Sequence, residues 1–238
     1  RLSACTEDDV EVLQFFADAA AISIEKAMLH KQLLERELIS KQLETAREVQ
    51  SRLLPASAPI LPGYDIAGIC ISADEIGGDY FDYIPLARNR LGLAVADVSG
   101  HGIPSALVMT AFRALLRTKA RGKSTPANIA SAINHRLPEF TGDNHFVTVL
   151  YAVLEPATGK LTYISCGHPP PLLLCANGKE DLLDQRNTAL GIFPNLQYTE
   201  GRTHLNVGDI LVLYTDGVVE LMNQSNETFG VPRLRQVI

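Results

Sequence analysis

Three short stretches of this chain set an aspartate beside glycine at the end of an apolar run. They are Gly77-Gly78-Asp79, Ala96-Asp97-Val98-Ser99-Gly100 and Thr215-Asp216-Gly217. A strand end is a rigid mounting for a ligand, and aspartate is short enough to fix an oxygen with few rotamers. The neighbouring glycine lets backbone and ligand approach closely. Several carboxylates drawn to one place repel one another unless cations neutralise them. Carboxylate, carbonyl and water oxygens select hard ions, Mg²⁺ or Mn²⁺, over zinc. A single Asp-Gly after a strand is an ordinary turn. The chemistry rests on the three occurring together.

Composition narrows what else the chain could be. Of its 238 residues 46% are hydrophobic and 20% charged, which is enough apolar material for a core and too little charge for a disordered segment. The formal net charge of −6 gives no basic patch of the kind nucleic-acid binding requires. The cysteines Cys5, Cys70, Cys166 and Cys175 are scattered, with no CxxC pair and no zinc-finger spacing, as for reduced thiols in a cytoplasmic protein. No signal peptide and no uninterrupted apolar run of membrane-spanning length is legible, so no membrane role is expected of this sequence.

The elements that must position the aspartates follow from periodicity. From Asp8 to Leu54 there is no Gly or Pro, and Thr6-Glu7-Asp8-Asp9 supplies an N-cap and an acidic first turn. A heptad seam runs through Val10, Leu13, Ala17, Ala20, Ile24, Ala27, Lys31, Leu34 and Leu38, then slips by one position to Ile39, Leu43, Ala46 and Leu53. The pattern fits a dimeric coiled coil with weak pairing, or one helix packed on its own domain. Pro55 and Pro59 end it. Strands are predicted over Tyr64–Ala73, Tyr80–Pro85, Leu91–Val98, Phe146–Leu154, Lys160–Ser165, Pro171–Cys175, Tyr198–Leu205 and Ile210–Tyr214. Helices are predicted over Ile103–Ala120 and Ala127–Leu137. Strands before and after two consecutive helices argue for an α+β fold with antiparallel sheets, not a doubly wound parallel one. The expected division is 1–54 for the helical part and 55–238 for the globular domain.

The stretches GGDYFD (77–82), AVADVSGHGIPSALVM (94–109), FVTVLYAVLEPATGKLTYISCGHPPPLLL (146–174), LYTDGVVE (213–220) and FGVPRL (229–234) have a known counterpart. Together with AREVQSRLLP (46–55), they resemble the protein phosphatase 2C-like (PPM) family, in its bacterial RsbU and sporulation-phosphatase branch. That resemblance implies a four-layer α-β-β-α sandwich, a binuclear Mn²⁺ or Mg²⁺ site, and hydrolysis of phosphoserine or phosphothreonine in proteins. By position, Asp97 is then the carboxylate that bridges both ions, and the Val98 carbonyl is a neighbouring ligand. Asp79 serves one ion and Asp216 the other. The implied partner is a phosphorylated STAS-type anti-sigma-factor antagonist in a partner-switching pathway.

Other residues carry more than one reading. His101 is either a proton donor to the leaving oxygen or a structural histidine in a glycine-rich turn. Asp82 is a candidate for orienting waters of the metal site. His168 reads as a turn-organising side chain, Ser99 and Thr148 as hydroxyl helpers, and Arg113 and Arg117 as residues of a solvated helix face. The family ends in a further helix and a strand whose aspartate pair completes the metal site. This chain stops at Ile238, at the expected start of that helix, so partial metal occupancy and an exposed sheet edge are expected. Cys5–Leu34 is similar to the last helix of a GAF-type sensor domain running into a signalling coiled coil, and the heptad seam points to a homodimer through the N-terminal helix. Two rivals remain. GGDYF echoes the GGDEF signature of diguanylate cyclases, but Tyr80 stands where that chemistry needs an acid, and Asp97 and Asp216 go unexplained. The other is a non-catalytic phosphatase-like scaffold.

Overall fold

A computed structural model describes residues 6–72, 76–141 and 145–238. Cys5, where the sensor-like stretch begins, and Ala73, the end of the first predicted strand, lie outside the described residues. The chain divides into two units, one ending at Arg47 and one running from Glu48 to Ile238.

Helix α1 runs from Glu7 to Ser51, 45 residues without a break. Its start is a reciprocal cap. The Thr6 amide and hydroxyl both donate to Asp9 Oδ2, at 2.9 and 2.6 Å, while Thr6 Oγ1 accepts from the Asp9 amide at 3.3 Å. None of its residues is buried. Long straight-chain residues and the absence of Gly and Pro sustain it, and Pro55 bars its continuation. Among the described residues no helix is long and apolar enough to cross a membrane.

In the second unit, β1 (Tyr80–Leu86) and β2 (Arg90–Val98) lead into α2 (Gly102–Ala120), α3 (Pro126–Arg136) and the short α4 (Pro138–Thr141). Then come β3 (Val147–Glu155), β4 (Lys160–Cys166), β5 (Leu172–Leu174), β6 (Glu180–Leu182), β7 (Arg186–Asn187), β8 (Gly201–His204) and β9 (Ile210–Val212). Helices α5 (Asp216–Glu220) and α6 (Gly230–Val237) follow. One sheet has the order β1-β2-β3-β4, with β7 and β8 both paired to β4; the other has the order β6-β5-β9. All of these pairings are antiparallel except β4 with β7.

Three buried clusters show how the layers stack. Tyr80, Ala96, Val98, Val149 and Tyr151 meet Met109, Phe112, Leu116, Ile129 and Ile133 of α2 and α3. On the other face of the same sheet, Ala152, Leu154, Leu161 and Tyr163 meet Leu173 and Leu183, with Leu211 packed against them. Beyond the small sheet, Leu172 and Tyr214 meet Leu234 of α6. The α+β class and the helix-sheet-sheet-helix stacking both match the expectation. Strand β3 lies between two cores, which is why VTVLYAVLE is almost continuously apolar instead of alternating. Phe112 is fully buried and meets Tyr80 edge-on at 6.0 Å. Truncating it to alanine costs about 3–5 kcal/mol.

Several predicted elements differ from those observed. Tyr64–Ser72 forms no strand; its one pairing is the Leu61–Tyr64 bridge. The segment approaches β1 at Gly68, where a Cβ would fall 2.9 Å from the Phe81 ring and too close to the Tyr83 hydroxyl. Ile69 and Ile71 of this segment stay largely exposed, so its strand-like composition is spent on neither a ladder nor a core. Tyr198–Leu205 forms a strand only at Gly201–His204. The last helix begins at Gly230, eight residues before Ile238, instead of at the end of the chain.

Candidate functional site

The GGD turn is held by what glycine permits. A Cβ on Gly78 would lie 2.7 Å from the Val98 carbonyl and 3.3 Å from Ser105 Cβ. Only glycine therefore lets this turn rest on the end of β2 and the first turn of α2, and Asp79 follows directly. Asp97 is the penultimate residue of β2, opposite Thr148 in the β2–β3 ladder. Asp216 is the first residue of α5, after Thr215. The Thr215 hydroxyl donates to Asp79 Oδ2 at 3.4 Å, a weak bond that ties the third stretch to the first. The three stretches thus converge.

Their electrostatics report the same proximity. Burial raises the Asp79 carboxyl above its ordinary range and the Asp216 charge raises it further, against the bond from Thr215. The Asp97 carboxyl is pushed up to about 6 by burial first and then by the charges of Asp79 and Asp216. Its Val98 amide hydrogen bond acts the other way. Cys70, on the extended segment, has its thiol raised by burial and by the Asp79 charge. Among the described residues, however, no three His, Cys, Asp or Glu side chains close into a ready-made cation cage. The carboxylates share one field without sharing one coordination sphere.

The loop after Asp97 is stitched to the start of β3. The Ser99 amide donates to the Phe146 carbonyl at 3.0 Å, and Ser99 Oγ accepts from the Phe146 amide at 2.9 Å. His145 Nδ1 lies 2.9 Å from the Ser99 carbonyl, its ring beside Gly100. Gly100 and Gly102 both have positive φ, +90° and +73°, so the loop turns where side chains would strain it. His101 is exposed at the N-cap of α2 and makes no side-chain cap bond.

Asp82 and Arg117 stand differently from their expected roles. Asp82 is buried and takes its hydrogen bonds from the Tyr80 hydroxyl at 2.5 Å and from Arg117 at 2.5 and 2.7 Å. Its oxygens serve an ion pair between β1 and α2, not the waters of a metal site. Arg117 is part of that pair, not a member of a solvated face. Gln50 was not singled out by sequence. Its amide pairs twice with the Gly77 backbone, donating to the carbonyl at 2.7 Å and accepting from the amide at 3.3 Å. Its place in the AREVQSRLLP stretch was the available signal.

The sporulation stage II protein E (SpoIIE) family model matches residues 87–238, well over half of the chain. The chain belongs to the SpoIIE family. This SpoIIE-family chain is 28% identical over 201 residues to the phosphoserine phosphatase RsbU of Bacillus subtilis, covering 84% of the chain and 59% of RsbU. The RsbU and RsbW domains of Rv1364c from Mycobacterium tuberculosis align with a TM-score of 0.57 and 30% identity, over 64% of this chain and 42% of that one. The SiaA-PP2C domain of Pseudomonas aeruginosa shares the fold, with a TM-score of 0.68 at 20% identity over 84% of this chain and 81% of that one. The chain spans between 35% and 59% of the length of the curated relatives it matches.

Proposed function

We propose that this SpoIIE-family domain is a metal-dependent phosphatase for phosphoserine or phosphothreonine in a protein. Its ligands for Mn²⁺ or Mg²⁺ are Asp79, Asp97, Asp216 and the Val98 carbonyl. The observation that carries this reading is the Asp97 carboxyl, raised to about 6 by burial and by two neighbouring carboxylates. Holding like charges together in a half-buried place costs stability, and a hard cation converts that repulsion into binding energy. The donors are all oxygen, and their open arrangement suits an ion that keeps several of its waters. When bound, a pair of such ions activates water for in-line attack and neutralises the phosphoryl oxygens.

The chain's own residues hold the site in place. Strand β2 gives Asp97 a rigid mounting, Gly78 lets Asp79 approach Val98, and Thr215 orients Asp79 by a hydrogen bond. His101, exposed on the loop after Asp97, is available to hand a proton to the leaving oxygen. The likeness to RsbU, named a phosphoserine phosphatase, supports a phosphorylated STAS-type anti-sigma-factor antagonist as the cytoplasmic substrate. The exposed seam residues Leu13, Ile24, Leu34 and Leu38 of α1 support a homodimer paired through that helix.

Hydrolysis of a phosphoserine peptide with Mn²⁺, compared among wild type, Asp97→Asn and Asp216→Asn, tests the reading. Turnover by the wild type alone is expected. A second reading, a non-catalytic scaffold, draws on the open spacing of the acidic groups among the described residues. Equal, negligible turnover by all three proteins would favour it.

A further inference from the structure

His168 sits in the turn after β4, and its side chain does not face solvent: the residue is only 6% exposed. The turn that carries it is fixed from several sides. Ser165 Oγ donates to the His168 carbonyl at 2.9 Å, and the Ser165 carbonyl accepts from the Asn187 amide group at 3.1 Å. Gly167, at φ +66°, packs so near Ala189 that a Cβ would fall 2.8 Å from the alanine methyl. Pro169 and Pro170 stiffen the exit.

The ring lies between Thr148 of β3 and the Tyr214–Asp216 segment that leads into α5. Nδ1 lies 2.9 Å from Thr148 Oγ1, and Thr148 stands opposite Asp97 in the β2–β3 ladder, its hydroxyl 3.4 Å from the Asp97 carbonyl. The ring also feels the Tyr214 backbone and the charge of Asp216, both of which favour a proton on it. Nε2 is buried without a hydrogen bond of normal geometry. Burial outweighs these neighbours and pushes the imidazole down to about 4, so the ring is neutral near pH 7. A side chain that only filled space here would be better apolar, because a buried polar atom without a partner costs about 1–3 kcal/mol.

We infer that His168 is a positioning residue, a crosspiece through Thr148 that sets the spacing of Asp97, at the end of β2, and Asp216, at the start of α5, for cation binding. This rests on the metal-site reading proposed above. Residues that orient ligands without touching the ion change its affinity by about 10–100-fold when removed. A filler of the core would change melting temperature and leave ion affinity alone.

Direct Mn²⁺ binding, followed by the electron paramagnetic resonance of the free ion, separates the two. The proteins to compare are wild type, Thr148→Val, His168→Gln and the double variant, with apo melting temperatures measured alongside. Thr148→Val keeps the side-chain shape and removes only the hydroxyl, so it carries the test even if His168→Gln folds poorly. Each single change is expected to weaken Mn²⁺ binding about tenfold or more, and the double change no further than the worse single one, because both break one link. Unchanged affinity in Thr148→Val and His168→Gln would overturn the inference while leaving the metal site standing. Absence of Mn²⁺ binding by the wild type would overturn both.

Discussion

Asp79 and Asp82 lie three residues apart in one motif, and their surroundings are opposite. Asp82 is buried, yet every hydrogen bond it needs is present: two from Arg117 and one from the Tyr80 hydroxyl. Asp79 is half-buried beside Asp97 and Asp216, and among the described residues one weak hydrogen bond from Thr215 is set against two like charges. The first environment is complete within the protein. The second is complete only when positive charge is added. Burial of a carboxylate therefore says little about its role; the sign of the neighbouring charge separates a structural aspartate from a ligand.

Substitutions at the two places should break the comparison in different ways. Asp97→Asn removes a carboxylate from the shared field. Stabilisation of transition-state charge by a bound ion is worth several kcal/mol, so steady-state phosphopeptide kinetics should show a loss of about a thousandfold in kcat. Asp82→Asn leaves Arg117 without its anion, and breaking a buried pair costs about 3–5 kcal/mol. Arg117 is a third exposed and can recover some hydration, so urea denaturation should place the loss near the low end. The Mn²⁺ affinity of the folded Asp82→Asn protein should be unchanged.

Acidity sharpens the same contrast. The Asp97 pKa is raised from 3.8 to about 6 in the folded state. Between those values the folded protein holds a proton that the unfolded chain has released. Apo stability is therefore greatest below about pH 4 with respect to this group and falls as the pH rises through about 6. Asp79, raised in the same direction, adds to the trend. Melting temperatures of the metal-free protein across pH 4 to 7 should show this fall, and Asp97→Asn should flatten it. The smallest effect belongs to Gln50→Ala, which frees the Gly77 backbone two residues from Asp79. Loss of two part-buried hydrogen bonds costs about 1–3 kcal/mol, visible as a lower melting temperature and a modestly weaker Mn²⁺ affinity.

Much of this was legible because the informative residues are local. The three aspartate-glycine stretches, the two helices and the doubly buried β3 all leave their mark within a few positions. Only Asp97 stands at a strand end; Asp79 precedes β1 and Asp216 opens α5. What escaped depends on contacts distant in sequence. Arg117 reads as a surface residue at its helical position, and only the fold brings Asp82, 35 residues earlier, against it. Tyr64–Ser72 has strand composition, but it forms no ladder: Gly68 passes close to Phe81 and Tyr83 of β1, and Ile69 and Ile71 stay exposed. Thr148 and His168 carry no sequence signal of their partnership, since the β2–β3 register and the turn after β4 create it. Gln50 is similar: its partner lies 27 residues on, at a glycine backbone that no side-chain pattern reveals.

Thermal unfolding with and without Mn²⁺, on wild type and Asp97→Asn side by side, addresses the convergence of the three aspartates most directly. An ion that binds only the folded protein stabilises it by about 2.7 kcal/mol at a hundred times its dissociation constant. The wild type should melt several degrees higher with saturating Mn²⁺, and Asp97→Asn should lose most of that gain while melting no lower than wild type without the ion. Equal shifts in both proteins, or none in the wild type, would contradict a cation site built on Asp79, Asp97 and Asp216.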